Sequence, residues 1–509
     1  MTQKKIPKKN SHHLITSYLL AGISGILLAL PFHQSALWLM SWIGLVPLFI
    51  ALENKSLRQC FRIAYFSGLV FFSCVLFWLI HVTLLGLLLL GAYLALYFGI
   101  FGCVVHRKLE RATLLLVLPC AWVVLEFLRS TLLTGFNWAL LGHSHYTLLP
   151  LIQIADTTGV YGISFIVVFI NCSIYLLMQR GISQKIKLLA IGLSFCMIIA
   201  CCTYGAKKLQ SHVDADTTLQ VSVIQGNIPQ EVKWLEHSVP HILKEHTGLT
   251  YEAAEERADL IIWPESSMPG LVEEGNFLFD VISDLAAEVR IPLVVGAVTG
   301  TYETLYNSAL LVSADGEVVK KYDKLHLVPF GEYIPLKKVF AFVEHIAPAP
   351  IGSFNFGDDY VIFTLPEQST QFAVLICFED TLPYLSRNCV RRGADFLVNI
   401  TNDAWFKKTV AATQHMQASV FRAIENHRPV IRAANTGISC FIDRNGKITS
   451  RVTDLAGRKD IFISGYKTDK IIIGNRRLTF YTQYADVFVA GCGVLAVMGL
   501  AVNRRRKHS

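Results

Sequence analysis

The sequence predicts an α-helical membrane domain joined to a single large α/β domain. Of the 509 residues, 53% are hydrophobic and 17% are charged, and the charged residues are unevenly spread. Residues 14–205 are almost uncharged, whereas residues 206–483 combine charged residues with short strand and helix patterns. We therefore predict a membrane domain over residues 1–205, an extracytoplasmic α/β domain over residues 206–483, and a last span with a basic tail over residues 484–509.

Eight stretches are apolar enough to be predicted as membrane spans. A transmembrane helix needs about 20 apolar residues, and seven such stretches precede the α/β domain while the eighth follows it. No small-residue cleavage site follows the first stretch, so we expect it to be a span and not a removed signal peptide. The stretches lie roughly at residues 14–30, 35–52, 61–80, 82–105, 113–129, 160–178, 186–204 and 485–502.

Lysine and arginine residues mark alternate loops between these spans. Positive charge is typical of cytoplasmic loops, and the loops near residues 31–34 and 81 carry none. We therefore expect both termini in the cytoplasm and residues 206–483 on the opposite face of the membrane. The net charge of +8 reflects this topology, so it indicates no nucleic-acid partner. The basic residues are Lys4, Lys5, Lys8, Lys9, Lys55, Arg58, Arg62, Arg107, Lys108, Arg111, Arg180, Lys185, Lys187, Arg504, Arg505, Arg506 and Lys507.

The cysteines argue against a disulfide scaffold. Of the twelve in the chain, only Cys377, Cys389 and Cys440 lie in residues 206–483, which is few for a large extracytoplasmic domain. A free cysteine is unusual in an oxidising compartment, and a catalytic role would explain why it is there. His143 and His145 form no ligand pattern with other residues, so we predict no metal site and no cofactor.

Strand and helix patterns alternate through the α/β domain. Apolar runs predict strands, 3.6-residue periodicity predicts helices, and Asp-Gly or Asn-Gly pairs predict the hairpin turns. Strands alternating with helices, with hairpins added, predict an α/β sandwich with mixed sheets. The predicted strands are 219–227, 259–265, 292–298, 361–366, 371–377 and 395–401; the helices are 238–257, 276–290, 382–392 and 412–427; the hairpins are 306–324 and 430–450.

Cys377 lies between a buried strand and a helix start. Residues 372–376 are five apolar residues in succession, and Thr381 and Pro383 resemble an N-cap and a first helical turn. A cysteine at such an elbow is held rigidly near main-chain N–H groups, which is good geometry for a nucleophile. The alternative is a small, inert core residue, which is the commoner role of a free cysteine.

Two further stretches place a reactive side chain after a strand. Glu265 ends IIWPE (261–265), and YDKLHLVPFGEY (322–333) contains Lys324 and Glu332. A carboxylate such as Glu265 can take the proton of a thiol as a general base, and Lys324 can stabilise an oxyanion together with a main-chain N–H after Cys377. Glu332 can orient Lys324 or the base. The alternatives are a helix cap for Glu265 and surface positions for Lys324 and Glu332.

Two more residues are candidates for supporting roles near these three. Glu379 can order the nucleophile loop, although an acidic residue near a helix start is also ordinary. Trp234 either forms a wall of the pocket or packs in the core.

Together these stretches resemble the nitrilase superfamily, whose triad is Glu–Lys–Cys. With the flanking spans, the chain is similar to the apolipoprotein N-acyltransferases of bacterial inner membranes over essentially its whole length. The resemblance implies an α-β-β-α sandwich in which Glu265, Lys324 and Cys377 are catalytic. Phe378 departs from the family, which usually has tyrosine there, so a role that needs the hydroxyl group is in doubt. Further matching stretches are QGNIPQEVKW (225–234), WPES (263–266), KLHLVPFGEYIP (324–335) and NDAWF (402–406).

The resemblance also implies a two-step reaction. An acyl chain passes from a membrane phospholipid to Cys377 as a thioester, and then to the N-terminal amine of a diacylglyceryl-cysteine apolipoprotein. The expected partners of the protein are therefore phospholipids, apolipoproteins and membrane lipids. The alternatives are a membrane-tethered nitrilase-type amidase or lipid hydrolase, and a transporter whose soluble domain binds a ligand.

The stretch VFAFVEHIAPAPIGSFNF (339–356) is too apolar for an ordinary exposed loop. We interpret it as an arm that enters the bilayer surface and contacts lipid substrates through Phe340, Phe342 and Phe354. The alternative is a loop that packs on the core of its own domain.

Overall fold

A computed structural model describes residues 9–107, 111–211, 217–301, 303–334, 354–365, 369–474 and 476–506. The chain divides into two compact units. The first contains the residues up to Ile80, Leu84–Leu209 and the residues from Asp486 onward, and the second contains His81–Thr83 and Gln210–Ala485.

The first unit is helical. Within the described residues, six helices are long and apolar enough to cross a membrane: Leu14–His33, Leu84–Val105, Thr113–Thr134, Val160–Met178, Gln184–Gln210 and Val487–Arg504. They coincide with six of the predicted spans, so the prediction of several apolar helices is confirmed while the count of eight is not. The α-helices that contain or accompany them are Lys9–His33, Leu39–Gly44, Val46–Ala51, Leu57–Val75, Leu84–Val105, Arg111–Thr131, Leu149–Ile152, Ala155–Thr158, Val160–Met178, Gln184–Gln210 and Val487–Arg506.

The stretch predicted as a span at residues 35–52 is broken in the middle. Pro47 lies in the first turn of Val46–Ala51 and has no N–H to donate to the preceding turn. The side chain of Asn171 occupies the break, accepting from the Leu45 N–H at 2.8 Å and donating to the Ser41 carbonyl oxygen at 2.8 Å. The stretch at 61–80 instead forms a helix from Leu57 to Val75 and a 3-10 helix from Phe77 to His81.

The second unit contains two mixed β-sheets. In the first, the strand order is β13-β1-β2-β4-β5-β6, with β3 paired to β4; in the second, it is β12-β11-β10-β9-β8-β7. The strands are β1 Thr217–Gln225, β2 Leu260–Ile262, β3 Leu271–Val272, β4 Leu293–Thr301, β5 Thr304–Val312, β6 Val318–Asp323, β7 Phe363–Leu365, β8 Thr370–Ile376, β9 Phe396–Thr401, β10 Val430–Ala434, β11 Cys440–Ile442, β12 Ile448–Arg451 and β13 Gly465–Ile473.

The two sheets pack face to face, and helices cover their outer faces. Alternate residues of β1 and β2 point to opposite sides, because side chains in a strand alternate. Val223 and Ile262 enter the core between the sheets, together with Val374 of β8. Ile261, from the same strand as Ile262, packs instead under the outer helices. Strands buried on both faces read as continuous apolar runs, as these do.

The helices complete the four layers. Val239–Glu255 and Phe277–Val289 pack on the first sheet, and Pro383–Arg391 and Ala411–Asn426 pack on the second. The predicted α-β-β-α sandwich is therefore confirmed. A short helix at Phe480–Tyr484 contacts the helices Pro383–Arg391 and Ala411–Asn426, and 3-10 helices at Cys377–Thr381 and Asp403–Phe406 follow β8 and β9.

Candidate active site

Cys377 follows the last residue of β8 and begins a 3-10 helix. Its φ angle is +54°, a left-handed conformation that residues other than glycine seldom adopt. Its carbonyl oxygen accepts a hydrogen bond from Asn399 Nδ2 at 3.0 Å and lies 3.2 Å from His415 Nε2. Two side chains thus hold an unfavourable main-chain conformation, and such conformations are concentrated at functional sites. The thiol-bearing residue is half-buried.

Glu379 ties the Cys377 elbow to the loop that follows β6. Its carboxylate accepts N–H groups of Ile376 at 2.8 Å, Leu325 at 2.8 Å and His326 at 2.9 Å. The hydroxyl group of Tyr322 donates to the same carboxylate at 2.9 Å. Burial raises the pKa of Glu379 to about 7, and the main-chain N–H groups act in the opposite direction. Glu379 thus joins the Cys377 elbow to the loop after β6, and its supporting role in the site stays a prediction.

Lys324 is a buried cation between two carboxylates. Its side chain is 1% exposed, and its Nζ lies 2.8 Å from Glu332 Oε1 and 3.4 Å from Glu265 Oε1. Burial favours the neutral amine, but Glu332 and Glu265 outweigh it and raise the pKa of Lys324 above its ordinary value. The ammonium form therefore persists at neutral pH, and Glu332 is the nearer of its two partners. The surface positions considered for Lys324 do not occur.

The Glu265 carboxylate has two hydrogen-bond donors besides Lys324. Asn307 Nδ2 donates to Oε1 at 2.8 Å, and the Asn402 N–H donates to Oε2 at 2.8 Å. Asn307 also donates to Glu332 Oε1 at 2.8 Å, so one amide holds both carboxylates that flank Lys324. Such hydrogen bonds hold the carboxylate in one orientation.

The Cys377 thiol is electrostatically coupled to both Glu265 and Lys324. Burial raises the pKa of Cys377, the negative charge of Glu265 raises it further, and the positive charge of Lys324 lowers it. The structure thus gathers the three residues that the resemblance assigns to a triad. They follow β2, β6 and β8, so the ends of three strands supply them.

A buried ionic cluster lies beneath the elbow. His415 lies 2.9 Å from Asp380 through Nε2 and 2.9 Å from Asp403 through Nδ1. Burial lowers the pKa of His415, but the two carboxylates reverse the effect and raise it to about 9. Arg432 Nη1 donates to Asp380 Oδ2 at 2.5 Å. These opposite charges pair beneath Cys377, and the sequence patterns did not identify this cluster.

Phe378 and Trp234 have different environments. The ring of Phe378 stacks on His326, with centroids 6.1 Å apart and planes inclined by 28°, so it packs as an aromatic side chain without a hydroxyl group. Trp234 is 48% exposed, so it does not pack in the core.

The predicted arm lies mostly beyond the described residues. Phe340 and Phe342 are outside them, so their contact with lipid stays a prediction. Phe354 is half-buried, and its N–H donates to the Glu332 carbonyl oxygen at 3.1 Å. The rings of Tyr333 and Phe356 lie 5.0 Å apart. The two flanks of the stretch therefore meet beside Glu332.

Four polar residues near the candidate triad were missed in the sequence: Lys233, Asn307, Asn402 and His415. Lys233 and Asn402 lie within the matching stretches QGNIPQEVKW and NDAWF, which was the available signal. Asn307 lies in a strand predicted as one arm of a hairpin, and no local pattern separates it from an ordinary strand residue.

Comparisons with known proteins match both the helical part and the α/β part of the chain to protein families. The apolipoprotein N-acyltransferase N-terminal domain profile matches residues 24–173, and the carbon-nitrogen hydrolase profile matches residues 220–457. The second match contains Glu265, Lys324 and Cys377. Among solved structures, an amidase of the nitrilase superfamily from Nesterenkonia AN1 matches 55% of this chain and 99% of its own, with 17% identity and a TM-score of 0.40.

Curated relatives match over the full length. The apolipoprotein N-acyltransferase of Geobacter metallireducens is 38% identical over 520 residues, covering 96% of each chain. That of Pasteurella multocida is 29% identical and covers 99% of this chain and 98% of its own. That of Haemophilus influenzae is 30% identical over 459 residues and covers 86% of each. The chain therefore belongs to the apolipoprotein N-acyltransferase family.

Proposed function

We propose that this protein transfers an acyl chain from a membrane phospholipid to the N-terminal amine of a diacylglyceryl-cysteine apolipoprotein, and so completes lipoprotein maturation. The names of its relatives support the N-acylation. The observation that carries the mechanism is Lys324, buried between Glu332 and Glu265 and electrostatically coupled to the Cys377 thiol. A cysteine, a carboxylate and a cation in one place suit acyl transfer through a thioester.

In the first step, Glu265 takes the proton of Cys377, and the thiolate attacks the ester carbonyl carbon of the phospholipid. The carbonyl oxygen gains a negative charge, which the ammonium group of Lys324 stabilises. When the tetrahedral intermediate collapses, the carbon–oxygen bond of the ester breaks, and Glu265 returns the proton to the leaving oxygen. A lysophospholipid departs, and the acyl chain remains on Cys377.

In the second step, the amine of the apolipoprotein attacks the thioester carbonyl carbon. Glu265 takes a proton from the attacking nitrogen, the carbon–sulfur bond breaks, and the proton returns to the Cys377 sulfur. An amide forms and the free thiol is restored. Glu332 holds Lys324 in place throughout, because its Oε1 lies 2.8 Å from the ammonium nitrogen.

Mass spectrometry of the Cys377 peptide tests this mechanism. After incubation with phospholipid alone, we expect Cys377 to gain the mass of one acyl chain, and the adduct to disappear when a diacylglyceryl-cysteine peptide is added. The amide product should appear at the same rate as the adduct is lost. Free fatty acid without a lasting adduct would instead favour the hydrolase, in which water resolves the thioester.

We also propose that the chain crosses the bacterial inner membrane eight times, with both termini in the cytoplasm and residues 206–483 in the periplasm. The stretches at 35–52 and 61–80 would then supply the second and third crossings. The alternating basic loops support this orientation. Donor and acceptor are both lipid-anchored, which accounts for a catalytic domain attached to a membrane domain.

Protease accessibility tests the orientation. In cells with an intact outer membrane, residues 206–483 should resist an added protease, and they should be cleaved once the periplasm is opened. Fragments are identified with an antibody against the α/β domain, and a cytoplasmic protein serves as the control that must stay intact. Cleavage only from the cytoplasmic side of inverted vesicles would contradict the proposed topology.

A further inference from the structure

Lys233 is a second buried lysine beside the candidate triad. It lies in the segment that connects β1 to the helix Val239–Glu255, and it is 2% exposed. Its Nζ donates a hydrogen bond to the main-chain carbonyl oxygen of Glu265 at 3.0 Å. Removing an ammonium group from water is costly, and one neutral carbonyl group offsets little of that cost. A buried lysine in this position therefore calls for a charged neighbour.

The acidic groups that act on Lys233 belong to the candidate site. Burial lowers the pKa of Lys233 to about 8, and Glu265 and Cys377 act in the opposite direction by stabilising the ammonium form. His246, from the neighbouring helix, adds no charge: burial, with a smaller contribution from Lys233, lowers its pKa to about 4. Lys233 is therefore still mostly protonated at neutral pH, and Glu265 and Cys377 are the acidic groups that stabilise its charge.

The interaction between two charges is mutual. If a Cys377 thiolate stabilises the ammonium group of Lys233, that ammonium group stabilises the thiolate by the same free energy. Lys324 supplies positive charge too, but Glu332 lies 2.8 Å from it and cancels much of its field. When Glu265 has taken the thiol proton, Glu332 and the thiolate are negative and Lys324 is positive. Asp403 also acts on the thiol, but it pairs with His415. One negative charge is then left unbalanced among these groups, and the buried ammonium group of Lys233 can balance it.

We propose that Lys233 is a positioning residue of the site, which anchors the main chain at Glu265 and supplies the second positive charge for the Cys377 thiolate. The inference rests on the proposed function, because that function gives Glu265 and Cys377 their roles. Lys233 donates no proton to the substrate in this scheme and acts through its two neighbours.

Alkylation of Cys377 by iodoacetamide tests the proposal on the full-length protein in detergent. The rate is measured by mass spectrometry of the Cys377 peptide from about pH 6 to the highest pH at which the protein stays folded, because burial and Glu265 raise the pKa of this thiol. Lys233→Met removes the charge and the hydrogen bond, Lys233→Gln keeps a donor for the Glu265 carbonyl group without the charge, and Lys233→Arg keeps both. Lys244→Met, at an exposed position of the neighbouring helix, is the matched control.

We expect Lys233→Met and Lys233→Gln to move the alkylation profile to higher pH. The rate at neutral pH should fall about tenfold, which corresponds to a shift of about one pKa unit, and the loss should become smaller as the pH approaches the raised pKa of the thiol. Lys233→Arg and Lys244→Met should retain the wild-type profile. If Lys233→Met does not fold, the comparison of Lys233→Gln with Lys233→Arg still shows whether the positive charge at this position shifts the profile.

Two results would overturn the proposal. One is a wild-type profile in Lys233→Gln, and the other is an equal loss at every pH together with a lower melting temperature, as expected of a purely structural residue. The assay needs no lipid, so it is separate from the proposed function. A wild-type protein that never accepts an acyl chain from phospholipid would contradict that function, while the alkylation profiles would still decide the role of Lys233.

Discussion

Replacing Cys377 by alanine is expected to abolish both acyl loading and transfer to the amine. The methyl group cannot form a thioester, and removal of a nucleophile from a cooperating triad costs roughly a thousandfold or more in rate. The fold should survive, because the residue is half-buried and its carbonyl oxygen, which Asn399 and His415 contact, is unchanged. The measurement is the rate of amide formation with phospholipid donor and diacylglyceryl-cysteine peptide acceptor.

Cys389→Ala is the matched control for this experiment. Cys389 is buried in the helix Pro383–Arg391, twelve residues along the chain from the nucleophile, and burial raises its pKa to about 12. Unlike Cys377, it has neither Glu265 nor Lys324 among the groups that act on its pKa, so the variant should transfer acyl chains at close to the wild-type rate. Full activity of Cys377→Ala would rule out the thioester mechanism.

Replacing Glu265 by glutamine is expected to stop loading of Cys377 while the protein still folds. The amide group has no basic oxygen for the thiol proton, and loss of a general base costs about 10²- to 10⁴-fold in rate. The substitution also disturbs the donors around it. Asn402 N–H donates to Oε2 and Lys324 Nζ to Oε1, and a glutamine amide nitrogen at either position cannot accept. The adduct on Cys377 is followed over time with phospholipid alone.

Glu274→Gln is the control for the change of carboxylate to amide. Glu274 is exposed in the same segment of the chain, so its substitution should leave loading unchanged. A melting curve of each variant separates loss of the base from loss of the fold. Thioester formation at the normal rate in Glu265→Gln would show that another group takes the thiol proton.

The placement of the three candidate catalytic residues could be predicted because each signal is local. Cys377 follows five apolar residues, and Glu265 and Lys324 end stretches whose strands are evident from their apolar patterns. In each of these three stretches, the end of the strand, the turn and the reactive side chain lie within a few positions along the chain. The hairpin of β5 and β6 was predicted in the same way, from an Asp-Gly pair at Asp315.

What the sequence did not reveal depends on contacts between distant segments. Lys233 is buried by its packing near Glu265, and lysine is ordinarily an exposed residue. His415 pairs with Asp380 and Asp403 only because a helix, a strand end and the elbow converge. Strand β13 carries Lys467, Asp469 and Lys470 among its apolar residues, so its pattern is not that of a buried strand. Strand β13 belongs to the first sheet because it pairs with β1.

The bridge that Glu379 makes between its own loop and the loop after β6 bears on when the thiol becomes reactive. Glu265 and Lys324 follow strands of one sheet, whereas Cys377 follows a strand of the other. Neither sheet alone brings the Glu265 carboxylate near the sulfur, and contacts between segments far apart in the chain are slow to form. We therefore expect a partly folded chain to hold an ordinary thiol. Reactivity is then a sign that the domain has finished folding.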